Sequence, residues 1–194
     1  LIALYSSGQI QKAFDAVEDL IKDYPNEALF YNISGACYAS LGHLNKAVRR
    51  YKEAIGINPS YAEALNNLGI TLQELGKMDE AVKSYEQAIT IKPDFAEALN
   101  NLGISLQSLG QLDAAVKNYK KAISIKSEFA NAHYNLGLTL ERLGSISQLN
   151  SAINCYEKTL SIQPDFADAH NHLGNVLSDL GQLNTAVKSY EKAI

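Results

Sequence analysis

Glycine recurs in this chain at two fixed places in a repeating frame. All but one of the 12 glycines belong to two series whose members lie 34 residues apart, except for one step of 37 in each series. A sequence that repeats at this interval builds a stack of similar helical or strand units, because each unit buries its apolar face against its neighbours. The two series are Gly35, Gly69, Gly103, Gly137 and Gly174, and Gly8, Gly42, Gly76, Gly110, Gly144 and Gly181.

Apolar residues and tyrosines follow the same frame. Apolar residues three and four apart share one face of a helix, and a glycine after such a run ends it. The pattern therefore predicts two antiparallel helices in each repeat, near 60–75 and 78–91 in the third. A glycine inside the first helix costs about 1 kcal/mol relative to alanine, so we expect a close approach of helices there. The tyrosines expected to fill the space between the helices are Tyr51, Tyr85, Tyr119, Tyr156 and Tyr190.

The third repeat shows the complete frame, with Ala62, Leu65, Leu68, Gly69, Leu72, Gly76, Ala81, Tyr85, Ala88 and Pro93. This pattern resembles the tetratricopeptide repeat, from which it departs by Leu or His at the usual Trp position and by Thr159 in place of an alanine. The resemblance implies an all-α fold, a right-handed superhelical solenoid of antiparallel helix pairs over residues 1–194. The expected divisions are a partial repeat 1–27, full repeats 28–61, 62–95, 96–129 and 130–166, and a partial repeat 167–194.

Two local features carry further expectations. Asn26, Ser60, Asp94 and Asp165 stand where N-caps are needed, and Ser60–Glu63 and Asp94–Glu97 have the spacing of a capping box. Residues 145–147 are the insertion behind the step of 37, and we expect them to lengthen a loop, because loops tolerate insertions at little cost. A local partner contact or a changed superhelical pitch is the alternative for this insertion.

Composition excludes several classes of function. The net charge is −4 and no basic block exists, so we expect neither nucleic acid nor an anionic membrane as a partner. No apolar run approaches the ~18 residues of a transmembrane helix. His170 and His172 point to different sides of a helix, so we expect no metal, no cofactor and no catalysis in this chain. Because both ends cut through predicted helices, we expect a fragment of a longer protein. Cys37 and Cys155 lie three repeats apart, too far for a disulfide, so we expect a cytoplasmic protein.

In proteins of this family the first helix of each pair lines a concave groove. Two sets of side chains recur on that face, asparagines and apolar residues. An asparagine amide can both donate to and accept from the backbone of a bound segment, or it can tie one repeat to the next, and the sequence leaves both readings open. The apolar set either accepts partner side chains or packs against the next repeat. The candidate groove residues are Asn66, Asn67, Ile70, Asn100, Asn101, Ile104, Tyr134, Asn135, Leu138, Asn171, His172 and Asn175.

The leading functional expectation is a non-catalytic scaffold that binds an extended or helical protein segment in this groove. One alternative is the substrate-recruiting part of a larger transferase. Asn-Leu-Gly triplets at 67–69, 101–103 and 135–137 resemble those of O-linked N-acetylglucosamine transferases. The other alternative is end-to-end self-association through the apolar ends of the array.

Overall fold

The computed structural model describes residues 2–194, and every regular element in that range is an α-helix. Leu1, which the frame aligns with Gly35, lies outside the described residues. The chain divides into two compact units between Pro93 and Asp94. The first unit contains α1 (Ile2–Ser6), α2 (Ile10–Asp23), α3 (Ala28–Ser40), α4 (Leu44–Ile57), α5 (Ala62–Glu74) and α6 (Met78–Ile91). The second contains α7 (Ala96–Ser108), α8 (Leu112–Ile125), α9 (Ala130–Leu143), α10 (Ile146–Ile162), α11 (Ala167–Asp179) and α12 (Leu183–Glu191).

The helices pack in pairs, as the repeat frame predicts. In the first unit α3 packs on α4 and α5 on α6, and in the second unit the pairs are α7 with α8, α9 with α10, and α11 with α12. The first helices of neighbouring repeats also contact each other, α3 with α5, α7 with α9, and α9 with α11. We call the surface formed by these first helices the first-helix face of each unit. The predicted all-α array of helix pairs is confirmed.

A glycine and a tyrosine set the closeness of each pair. A Cβ placed on Gly69 in α5 would lie 2.5 Å from Cε1 of Tyr85 in α6, and Tyr85 is completely buried. The same relation holds between Gly103 and Tyr119 in the second unit. Any side chain at the glycine would occupy the space of the ring, so the expected close approach of helices is confirmed.

The second glycine series ends the first helices. Gly76 has φ of 74°, a left-handed conformation that glycine adopts without steric cost. The N–H groups of Gly76 and Lys77 donate to the carbonyls of Gln73 and Leu72, both at 2.9 Å, which satisfies two carbonyls at the end of α5. The chain therefore reverses direction within a few residues and begins α6 at Met78.

The predicted N-caps at Asn26, Ser60, Asp94 and Asp165 are wrong. The residues that precede α3, α5, α7 and α11 are Glu27, Tyr61, Phe95 and Phe166, and none of them caps its helix through its side chain. Glu63 and Glu97, the expected capping-box acids, instead form ion pairs of 3.0 Å with Lys92 and Lys126. Each pair joins the start of a first helix to the residue that follows the second helix of the same repeat.

The insertion at 145–147 lengthens a helix rather than a loop, so that expectation is also wrong. Ser145 is the N-cap of α10; its Oγ accepts from the backbone N–H of Gln148, whose Oε1 accepts from the N–H of Ser145. This capping box gives α10 17 residues, against 14 in α8. The extra residues are absorbed because a well-capped helix start is more stable than an open loop.

Candidate partner-binding face

Asparagine side chains link first helices in the first unit. Nδ2 of Asn67 on α5 donates a hydrogen bond to Oδ1 of Asn32 on α3 at 3.1 Å. Nδ2 of Asn32 donates in turn to the hydroxyl of Tyr61 at 3.3 Å. The first of these bonds ties the third repeat to the second, and the second bond holds Asn32 against the residue that precedes α5. This is the packing role that the sequence left open for the asparagines.

The same link recurs in the second unit. Nδ2 of Asn135 on α9 donates to Oδ1 of Asn100 on α7 at 3.0 Å. Asn100 is only 5% exposed, and Asn66 at the equivalent position of α5 is 7% exposed. Asn66 and Asn100 therefore have almost no surface to offer a partner, whereas Asn67 and Asn135 are half-buried.

The apolar members of the face keep part of their surface in solvent. Ile70 on α5 is 37% exposed, and Ile104 and Leu138 in the second unit are half-buried. Asn101 is half-buried and Asn171 is exposed. Exposed isoleucine beside amide groups gives this face both apolar area and hydrogen-bonding capacity, the combination found in ligand sites.

Glutamines on the face receive the hydroxyls of the buried tyrosines. The hydroxyl of Tyr85 donates to Oε1 of Gln73 at 3.2 Å, and that of Tyr119 donates to Oε1 of Gln107 at 3.1 Å. Thr139 also donates to Oε1 of Gln107 at 3.1 Å. Neither glutamine is among the candidate groove residues predicted from the sequence. The signal available was their spacing, twelve residues before a tyrosine in two successive repeats.

A carboxylate takes the place of the glutamine in the fifth repeat. The hydroxyl of Tyr156 donates to Oε2 of Glu141 at 2.7 Å, and Nδ1 of His172 lies 3.1 Å from the same oxygen. Burial, followed by this hydrogen bond and the charge of Glu141, raises the pKa of Tyr156. His172 stacks on the Tyr156 ring at 5.9 Å between centroids, and Tyr134 lies 4.8 Å from the ring of Phe166.

The last candidate residue, Asn175, also accepts a hydrogen bond from the hydroxyl of a tyrosine. Its Oδ1 accepts from the hydroxyl of Tyr190 at 2.9 Å, so the sixth repeat supplies an amide acceptor from another position of the first helix. The structure thus brings Tyr134 and His172 together, with 5.9 Å between their ring centroids, and holds Asn175 on a tyrosine of its own repeat.

A cavity opens on the first-helix face of the first unit. Its volume is 410 Å³, and residues of α1, α3, α4 and α5 line it. Ala36 and Ala39 form its apolar floor, while Asn67 and the exposed Glu74 contribute polar groups. The equivalents of Ala39 in the third and fourth repeats are the glutamines Gln73 and Gln107, whose longer side chains reach a tyrosine.

The histidines at the usual Trp position each lie against a backbone carbonyl of the loop that precedes their helix. Nε2 of His133 lies 2.9 Å from the carbonyl of Ser127, and Nε2 of His170 lies 2.9 Å from that of Pro164. His170 is 8% exposed. Across residues 2–194 no three His, Cys, Asp or Glu side chains are placed to share a metal ion. None of the helices in that range combines the length and apolar character that a membrane span requires.

Family models match most of the array. One described as TPR repeat matches residues 105–144 and 145–181, and others described as Tetratricopeptide repeat match residues 26–94 and 84–117. A crystal structure of MamA is 31% identical to this chain, with a TM-score of 0.76, over 82% of this chain and 91% of that protein.

The chain belongs to the tetratricopeptide repeat family. Two other tetratricopeptide-like structures share its fold at lower identity. PilW, a type IV pilus biogenesis factor, is 24% identical with a TM-score of 0.86, over 97% of this chain and 86% of PilW. YrrB, described as a TPR protein with an unusual peptide-binding site, is 22% identical with a TM-score of 0.76, over 94% of this chain and 92% of YrrB. A comparison with curated protein sequences found no match.

The tetratricopeptide assignment explains the shared positions of this chain. The glycine–tyrosine contact and the left-handed glycine recur because every repeat packs two helices closely and then reverses the chain. The first-helix side chains differ between repeats, as in Gln107 against Glu141 or Asn135 against His172. The scaffold is therefore shared between repeats, whereas the first-helix side chains are particular to each repeat.

Proposed function

We propose that this chain is a protein-interaction scaffold that binds an extended or helical protein segment on its first-helix faces. In the first unit the contacts come from Asn67 and Ile70. In the second unit they come from Asn101, Ile104, Asn135 and Leu138, extended by Tyr134, Asn171, His172 and Asn175. Asn66 and Asn100 support the face from beneath, because both are buried.

One observation carries this proposal. Asn135 and Asn67 each use a single N–H to hold the preceding repeat, and within residues 2–194 their Oδ1 atoms accept no hydrogen bond. A half-buried amide with its second N–H and its carbonyl unused can bind a partner backbone in both directions. The adjacent Ile70, 37% exposed, offers apolar contact to a side chain of the same segment. YrrB, which has the same fold, is described by its peptide-binding site, and this likeness supports a peptide as the ligand class.

Peptide display on the purified chain tests the proposal and needs no identified partner. A library of random peptides is selected on the protein, and the Kd of an enriched peptide is measured by fluorescence anisotropy. Asn135→Ala should weaken binding by about fivefold, the loss of roughly one net hydrogen bond. Leu138→Glu, which places a charge among the apolar contacts, should weaken it further.

The second helices provide matched controls. Lys83 and Lys117 are exposed on α6 and α8, away from the first-helix face. Lys83→Ala and Lys117→Ala should leave the Kd unchanged. If the selected peptides respond to these lysines and ignore Asn135 and Leu138, the binding surface lies elsewhere and the proposal is wrong.

Self-association is a second candidate, and one observation favours it. Leu183 and Val187 on α12 are 61% and 54% exposed, whereas Leu149 and Ile153 at the equivalent positions of α10, which packs on α11, are half-buried. An exposed apolar pair of this kind can cover a helix of a second copy. Light scattering over a concentration series, with Leu183→Glu as the comparison, tests it. A monomer at every concentration excludes self-association. The transferase alternative stays a prediction.

A further inference from the structure

The cavity of the first unit differs chemically from the rest of the first-helix face. Ala36 stands where the next repeats carry Ile70 and Ile104, and Ala39 stands where they carry Gln73 and Gln107. Both replacements remove side-chain volume from the same side of α3. The result is the 410 Å³ opening, within the size range of sites that hold small ligands.

The loss of glutamine also changes what the cavity presents. In the third repeat Gln73 covers the hydroxyl of Tyr85 by accepting its hydrogen bond. Ala39 cannot do this for Tyr51, which lines the cavity at 3% exposure and has the shorter side chain of Thr71 as its hydrogen-bonding neighbour. The opposite wall contains Tyr5, whose hydroxyl lies 2.9 Å from Oγ of Ser40. Hydroxyl groups therefore border an apolar floor of two alanines.

The charge at the cavity has one sign. Glu74 and Asn67, both on α5, line the cavity, and their side chains carry a carboxylate and an amide oxygen that can accept hydrogen bonds. No lysine, arginine or histidine is among the described residues that line it. A cavity with an apolar floor, acceptor oxygens and a carboxylate at its edge is complementary to an alkyl chain that ends in a cation.

We infer that this cavity is a specificity pocket for a basic side chain, lysine or arginine, of the segment that the chain binds. The inference rests on the proposed function and names which residue type the first unit selects. The alkyl stem lies against Ala36, Ala39 and Ile70, and the terminal cation meets Glu74 and Oδ1 of Asn67. An acidic side chain is rejected at this position because it would face the carboxylate of Glu74.

A small probe tests the pocket independently of any peptide. n-Butylguanidinium chloride carries the end of an arginine side chain, and n-butanol is its neutral counterpart. Each is titrated into the ¹⁵N-labelled protein, and backbone amide signals are followed by NMR. Butylguanidinium should produce saturable shifts at Ala36, Ala39 and Glu74, with butanol far weaker. Equal shifts from the two probes would show an apolar hole without charge recognition and would overturn the inference.

Two variants distinguish the contribution of the Glu74 charge from that of the cavity volume. Glu74→Gln should weaken butylguanidinium binding by about fivefold, the upper range for a partly exposed ion pair. Ala39→Gln should abolish it, because the introduced glutamine fills the cavity as Gln73 does in the next repeat. That variant should keep its melting temperature, since Tyr51 gains the acceptor that Tyr85 already has. Glu86→Gln on α6, where Glu86 is exposed, removes the same charge elsewhere and should have no effect.

The outcomes distinguish the pocket from the wider proposal. A selected peptide that binds through Asn135 and Leu138, combined with no butylguanidinium shift at the pocket, overturns the inference and leaves the partner-binding function standing. Saturable binding of the probe that both Glu74→Gln and Ala39→Gln reduce, without any selected peptide, supports the pocket and removes support from the wider function. Probe binding that neither variant alters places the cation at another site and overturns the inference.

Discussion

Gly103 leaves the space that the ring of Tyr119 occupies: a Cβ at Gly103 would lie 2.5 Å from Cε1 of that ring. Real Cβ atoms do not approach a carbon so closely, and Tyr119 is completely buried, so the ring cannot move into solvent. The pair therefore sets the distance between α7 and α8. Its equivalents in the other repeats bring the two helices of each pair equally close.

Gly103→Ala should lower the free energy of unfolding by about 1–3 kcal/mol, because the added methyl overpacks a buried interface. Gly103→Leu should lower the free energy of unfolding further, because its side chain is larger. Guanidinium unfolding followed by circular dichroism measures both. Gly56→Ala is the matched control: no atom lies within 4 Å of a Cβ at Gly56 in α4, so the better helix propensity of alanine should stabilise by up to ~1 kcal/mol. Equal losses in the two alanine variants would show that the contact with Tyr119 has no energetic role.

Removing the Tyr119 hydroxyl separates its hydrogen bond from its packing. Tyr119→Phe should cost about 1 kcal/mol, since Gln107 loses this donor but keeps the hydroxyl of Thr139 at 3.1 Å. Tyr119→Ala should cost ~3–5 kcal/mol, because it leaves a cavity between the helices. Thermal melts of the two variants check the ranking, and a phenylalanine variant as unstable as the alanine variant would contradict it.

The buried tyrosines should make the fold sensitive to alkali. Burial raises the pKa of Tyr85 and Tyr119 above the ordinary value of about 10. Below that pH both folded and unfolded chains hold the phenolic proton, and stability is unaffected. Above it only the unfolded chain ionises readily, so each tyrosine should lower the unfolding free energy by about 1.4 kcal/mol per pH unit.

Circular dichroism and tyrosinate absorbance recorded together between pH ~9 and ~12 test this expectation. The loss of helix should coincide with ionisation of the buried tyrosines. Tyr85→Phe should make the pH dependence shallower, and Tyr24→Phe should not, because Tyr24 is 58% exposed. Ionisation of all tyrosines with the helices intact would refute the coupling.

Ser145→Ala should destabilise the start of α10 by about 1 kcal/mol, the usual cost of losing an N-cap. The reason is the capping box in which Ser145 and Gln148 each satisfy the other's backbone N–H. Hydrogen exchange of the first turn of α10 gives a local measure, and the melting temperature a global one. Ser147→Ala lies in the same insertion at an exposed position and should be neutral. If the two alanine variants behave alike, the capping box does not hold this helix.

Much of the scaffold was predictable from the chain alone. The interval between Gly69 and Gly103, and the separation of Gly69 from Tyr85, which recurs in every repeat except the fifth, follow from similar units that stack. Helix type and pairing needed only this period and the apolar spacing within it. The insertion at Ser145 was misjudged, because a three-residue count is the same for a longer loop and for a longer helix. Only the reciprocal contacts of Ser145 and Gln148 distinguish them.

The sequence by itself determined the kind of repeat, since a frame of Gly, Tyr and Ala that recurs at about this interval is typical of stacked helix pairs. Tertiary structure decided the role of each asparagine. Asn66 and Asn67 are adjacent in the chain, yet one is buried and the other donates to Asn32 of the preceding repeat. It also decided that Ala36 and Ala39 open a cavity beside Glu74. Adjacent helical residues point about 100° apart, so a small rotation of each helix in its pair determines which of them faces a neighbour and which faces solvent.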